Sequence, residues 1–155
     1  PSSSSAASDV YKRQDLILGV GTIVNVDQLK RTIDIGADFG ISPGFETEII
    51  KYAKENKFSY IPGVSTASEI ISCLKFDCKF LKLFPAEPLG GISYLNSLSG
   101  PFPDVSFCPT GGINSDNYLS WLSQKNVLCV GGSWIAPKND NNYDKIKKRA
   151  LEVFK

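Results

Sequence analysis

Residues 80–87 read FLKLFPAE, and the lysine in that run is out of character with its neighbours. Lys82 lies between Leu81 and Leu83, just ahead of Pro85. Burying an ammonium without a partner is costly unless the group gives up its proton. A lysine at its ordinary pKa near 10.4 leaves roughly one side chain in 2,500 as free amine at pH 7. Desolvation by about three units would leave roughly a quarter neutral. Such an amine can attack a ketone and form a Schiff base, an electron sink for C–C cleavage. The plainer reading is a lysine that snorkels from a strand end to solvent. Two glycine pairs bear on the choice: PTGGIN (109–114) and VGGSW (130–134). Paired glycines let backbone N–H groups approach an anion, although each pair alone also reads as an ordinary tight turn.

Other chemistries are thin. The chain has 155 residues and no histidine, which removes His-based general catalysis and Ser-His-Asp triads. Its four cysteines, Cys73, Cys78, Cys108 and Cys129, form no C-x-x-C pair, so zinc sites of the Cys/His type are not indicated. On apolar segments they read as reduced core residues, which with no signal peptide points to the cytoplasm. Seventeen Lys and Arg face sixteen Asp and Glu, and the net charge of +1 gives no electrostatic reason to expect nucleic acid or an anionic membrane.

Short apolar runs and amphipathic stretches alternate along the chain. The strand-like runs are LILGV (16–20), DFGIS (38–42), FSYIP (58–62), KFLKLF (79–84), VSFCP (105–109) and NVLCV (126–130). Helices are expected at 26–36, 45–56, 67–77, 91–100, 115–124 and 143–154, with 91–100 the weakest because it is rich in Gly and Ser. Asn25 and Asp27 mark the first helix start, and Thr66 with Glu69 makes a capping box. Strand followed by helix, repeated, means parallel βα units. An open nucleotide-binding sheet would show G-x-G-x-x-G after a strand, and GVGTIV (19–24) does not fit. Nearly every strand instead ends in special residues, which favours a TIM (β/α)8 barrel, whose site is built from all its strand ends. Six units are visible of eight. The expectation is an α/β chain holding about six βα units over 15–155, with the first two absent. Residues 1–14 (PSSSSAASDVYKRQ) are expected to be a non-native or disordered tail, similar to adapter-derived translated sequence.

The segments GVGTIVNVDQ, ISPGF, IPGVSTASEI, LKLFPAEPLGG, LSGPFPDVSFCPTGGIN and VGGSW together resemble the 2-keto-3-deoxy-6-phosphogluconate (KDPG) and 4-hydroxy-2-oxoglutarate (KHG) aldolases, from about Leu16 to Trp134. The resemblance implies a class I aldolase on a TIM barrel, a homotrimer that uses no metal or other cofactor. Its substrate would be a small phosphorylated keto-sugar acid or keto acid, split into pyruvate and an aldehyde. It places the Schiff-base lysine on Lys82 and packs Phe84 against the substrate. Thr22 matches a threonine that contacts the pyruvyl carboxylate, and Pro43 lines the same pocket; alone, these two read as a turn residue and a strand terminator. Gly111, Gly112, Gly132 and Ser133 match the phosphate end. The family's glutamate base, in an E-x-x-x-R stretch, has no counterpart here, where the segment before Asp15 is YKRQ. Glu87 is the one acidic residue near a strand end, and it reads as structural. The chain is therefore expected to be weakly active or inactive by itself. The reading from a different class is a non-catalytic phosphate-binding barrel or an isomerase-type barrel that forms no imine.

Overall fold

The computed structural model describes residues 17–153. The expected tail at 1–14 lies outside the described residues, as do the first residue of the LILGV run and the last of the 143–154 helix. Among the described residues six strands and six helices follow one another: β1 (Gly19–Val20), α1 (Val26–Asp34), β2 (Phe39–Ile41), α2 (Thr47–Glu55), β3 (Ser59–Ile61), β4 (Gly63–Val64), α3 (Ala67–Leu74), β5 (Phe80–Leu83), α4 (Gly91–Ser99), β6 (Ser106–Pro109), α5 (Tyr118–Leu122) and α6 (Tyr143–Val153).

Local chemistry accounts for the helix starts. Asn25 Oδ1 accepts the Gln28 N–H at 2.9 Å and opens α1. At α3 the capping box closes both ways: Thr66 Oγ1 accepts from Glu69 N, and Glu69 Oε2 accepts from Thr66 N. The Gly- and Ser-rich α4 forms without a side-chain cap, held by Leu95 and Leu98, which are buried in the core. None of the described helices is long and apolar enough to cross a membrane.

The strands pair in parallel, as the alternation requires, but they do not make the expected barrel. They form two three-stranded sheets, ordered β1-β2-β3 and β4-β5-β6, and no closed barrel is present among the described residues. The truncated (β/α)8 expectation is therefore overturned. Two local causes are visible. The third apolar run divides at Pro62, which has no N–H to donate, so Ser59–Ile61 pairs with β2 while Gly63–Val64 pairs with β5. Pro62 still accepts, taking the Lys82 N–H at 2.9 Å across the seam. The last run, NVLCV, is not a strand. It meets β6 at one isolated bridge, Phe107 with Val127, and a second bridge joins the residues just past each, Thr110 with Gly131. One residue more lies between the bridge points on the last run than on β6, so the ladder is interrupted there.

Two apolar clusters lie beneath the helices. The larger includes Ile70, Leu81, Leu83, Leu95, Phe107 and Trp121 and supports β4-β5-β6. The smaller holds Ile23, Leu29, Ile49 and Ala53 beside β1-β2-β3.

Candidate active site around Lys82

β5 carries the lysine. Leu81 and Leu83 on either side are fully buried, and the Lys82 side chain itself is 9% exposed. Its ammonium lies 4.6 Å from the centre of the Phe84 ring. Among the described residues, no carboxylate forms an ion pair with it. Burial pulls the Lys82 pKa below the ordinary lysine range, opposed only by the charge of the neighbouring Cys108 thiolate. An amine that can be neutral, held by an aromatic face and free of a fixed counter-ion, is chemically a nucleophile for carbonyls.

The neighbours of Lys82 are set by strand register. Gly63 stands opposite it on one side and Cys108 on the other. Gly63 has to be glycine because the Pro43 backbone packs on it, where a Cβ would collide with the Pro43 carbonyl and the Gly44 nitrogen. Ser42 locks that approach: its Oγ accepts the Gly63 N–H at 3.1 Å and donates to the Gly44 carbonyl at 2.6 Å. Pro43 is thereby one strand away from Lys82. Cys108 is a residue that sequence reading assigned only to the core. Its thiol is held down to about 7, first by a hydrogen bond from Cys129 and further by Thr110 and Lys82, against the opposing effect of burial. The Cys129 thiol is pushed up by the same pairing. Only the β5–β6 register could have revealed this neighbour.

Thr22 is placed differently. It follows β1 with φ at 64°, a left-handed backbone that a β-branched residue rarely adopts. It lines an exposed cleft with Gln28, Arg31 and Thr32 of α1. Lys82 is not among the residues that line that cleft.

The glycine turns do meet. Gly111 (φ 98°) and Gly112 (φ 85°) both adopt conformations that disfavour side chains. A Cβ on Gly112 would lie 2.6 Å from Glu87 Cβ and Cγ, so the PTGG turn rests directly on the FPAE turn. On the other side, a Cβ on Gly131 would strike the Thr110 side chain, and one on Gly132 would lie 3.0 Å from the Ile113 carbonyl. The two turns thus form one continuous rim beyond β6, with Ser133 exposed on it. Glu87 does not approach Lys82 as an acid or base; its Oε1 accepts the Trp121 indole N–H at 2.7 Å.

A family model described as KDPG and KHG aldolase matches residues 2–149. The chain belongs to the KDPG and KHG aldolase family. Among its relatives, the KHG/KDPG aldolase of Escherichia coli (strain K12) is 44% identical over 142 residues, covering 90% of this chain and 67% of that protein. The 2-dehydro-3-deoxy-phosphogluconate aldolase of Pseudoalteromonas atlantica is 41% identical over 156 residues, covering 96% and 73%. In three dimensions the chain is similar to the KDPG aldolase of Legionella pneumophila, solved with pyruvate captured as a covalent carbinolamine, at a TM-score of 0.90 and 38% identity, covering 97% of this chain and 73% of that one. It is also similar to the Zymomonas mobilis aldolase solved with 3-phosphoglycerate, at a TM-score of 0.86 and 35% identity, covering 94% and 69%. These aldolases are lyases, and the Legionella pneumophila enzyme holds pyruvate covalently as a carbinolamine.

Proposed function

We propose that this chain carries the imine-forming and phosphate-binding parts of an aldolase that cleaves 2-keto-3-deoxy-6-phosphogluconate to pyruvate and glyceraldehyde 3-phosphate, or 4-hydroxy-2-oxoglutarate to pyruvate and glyoxylate. The observation that carries this reading is Lys82: a buried amine over an aromatic ring, with its pKa lowered and no counter-ion among the described residues. In this reading neutral Lys82 attacks the C2 ketone. The carbinolamine loses water to leave an iminium; as the C4 hydroxyl gives up its proton to water, the C3–C4 bond breaks with its electron pair passing into that iminium. The aldehyde departs, the enamine takes a proton at C3, and water releases pyruvate.

Phe84 covers the imine, Pro43 walls the pocket from the neighbouring sheet, and Thr22 serves the carboxylate of the pyruvyl part. Gly111, Gly112, Gly132 and Ser133 take the distal phosphate through backbone N–H groups and a hydroxyl. Among the described residues no Asp or Glu side chain is available beside Lys82 to move the proton. A homotrimer in the cytoplasm is the working assembly that goes with the family resemblance, and sedimentation would test it. The test of the chemistry is release of pyruvate from each keto acid by the chain and by Lys82→Met. Release, however slow, that vanishes in the variant supports the imine route. Release that persists in Lys82→Met counts against the imine route, and phosphate binding with no release at all favours a domain that binds phosphate without imine chemistry.

A further inference from the structure

We infer that Glu87 is a positioning residue for the phosphate end, acting through Asn117 to hold the PTGG turn so that the Gly112 and Ile113 N–H groups face the ligand. This rests on the assignment of the phosphate to the PTGG turn made above.

Three successive carbonyls of the PTGG turn are held from one side. Thr110 O accepts from Ala86 N at 2.8 Å, Gly111 O from Glu87 N at 3.0 Å, and Gly112 O from Asn117 Nδ2 at 3.0 Å. All three therefore point toward the FPAE turn and the start of α5. A trans peptide is planar, and its N–H points opposite to its C=O. The Gly111 N–H thus faces Gly131 across the parallel bridge, and the N–H groups of Gly112 and Ile113 face away from the FPAE turn. Successive N–H groups turned to one side make an anion-binding concavity. Among the described residues, neither the Gly112 nor the Ile113 N–H meets an acceptor.

The first two carbonyls are held by main chain, which almost any sequence could supply. The third depends on side chains. Asn117 Oδ1 accepts the Asn114 N–H at 2.9 Å, while its Nδ2 serves both Gly112 O and Glu87 Oε1, the latter at 3.3 Å. Glu87 Oε1 is itself fixed by the indole N–H of Trp121, a fully buried core residue. A chain of hydrogen bonds therefore runs from the core through Trp121, Glu87 and Asn117 to the Gly112 carbonyl. The placement also explains how a carboxylate is tolerated beside an anion site. It lies on the carbonyl side of the peptides, behind the N–H groups that would meet the phosphate. Both Trp121 and Asn117 use the same oxygen, Oε1, so a glutamine at position 87 can keep both hydrogen bonds without the charge.

The experiment titrates 3-phosphoglycerate into the full chain by calorimetry and, in parallel, measures the yield of borohydride-trapped pyruvate. Glu87→Ala is expected to weaken 3-phosphoglycerate about tenfold, the scale of one lost hydrogen bond to a charged group, while the pyruvate adduct yield holds. Asn117→Ala is expected to reproduce that selective loss, and Glu87→Gln to keep most of the affinity. Undiminished affinity in Glu87→Ala overturns the inference. So does an adduct yield that falls in step with affinity, which would mark a merely structural role, and so does a Glu87→Gln variant as weak as Glu87→Ala. Failure of the unmodified chain to bind 3-phosphoglycerate would overturn the phosphate assignment itself, and the inference with it.

Discussion

The two sheets differ in how much core stands behind them. β4-β5-β6 contains two four-residue strands and rests on a cluster that includes Phe107 and Trp121. β1-β2-β3 has strands of two or three residues over four buried side chains. The lysine and the PTGG turn both belong to the better-packed half. A buried amine opposes folding through desolvation, and a dense core is what can offset that cost. In the proposed site the thinner half contributes Pro43 and Thr22, from turns whose shapes are set by hydrogen bonds and by one strained dihedral rather than by burial. The contrast suggests that the nucleophile is placed by packing and the rest of the pocket by turn geometry.

The largest test of that contrast is a pair of core truncations. Phe107→Ala is expected to destabilise by about 3–5 kcal/mol and to remove adduct formation at Lys82, whereas Leu29→Ala should fall nearer the lower end of the range of about 2–5 kcal/mol. Chemical denaturation of both variants checks this, and a larger loss for Leu29→Ala would break the comparison. Next comes the seam. Gly63→Ala forces a Cβ into the Pro43 backbone and should cost about 1–3 kcal/mol, with weaker pyruvate capture, as seen by denaturation and trapping. A smaller effect is expected at the α3 cap, where Thr66→Ala should cost about 1 kcal/mol in the same melts and leave trapping intact.

The smallest effect on stability and the sharpest on chemistry is expected from Cys108→Ser. The Cys108 thiolate raises the Lys82 pKa. Its removal leaves burial unopposed, so the amine should become available at lower pH, and the pH midpoint of trapping should move down. A midpoint that moves up would contradict the placement of Cys108. Lys82 itself gives a second pH test. Its folded pKa is depressed, so the unfolded chain binds more protons between the folded and the ordinary lysine values, and stability rises with pH through that window. Lys82→Met should flatten this rise, which melts across the alkaline range would show.

Much of this organisation was legible in the residues. The order of strands and helices, the Asn25 and Thr66–Glu69 caps, and the anomaly of Lys82 in KFLKLF all follow from local chemistry. Closure of the sheet did not. Special residues at strand ends report turn geometry, and turn geometry does not say whether the edges meet. Pro62 could have been read as the break in FSYIPGV, since a residue without an N–H cannot continue a central ladder. NVLCV has the composition of a strand but lacks a continuous partner, a fact of tertiary pairing. The meeting of Cys108 with Lys82, and of Glu87 with Trp121, depends on register and on contacts about thirty residues apart, to which periodicity is blind.

In the proposed reaction Lys82 is a nucleophile made competent by burial. Its most direct measurement is borohydride trapping with pyruvate, followed by peptide mass mapping, with circular dichroism recorded on the same sample. A single reduced adduct is expected on Lys82, absent in Lys82→Met. A folded chain that yields no adduct, or one whose adduct maps to another lysine, would contradict it.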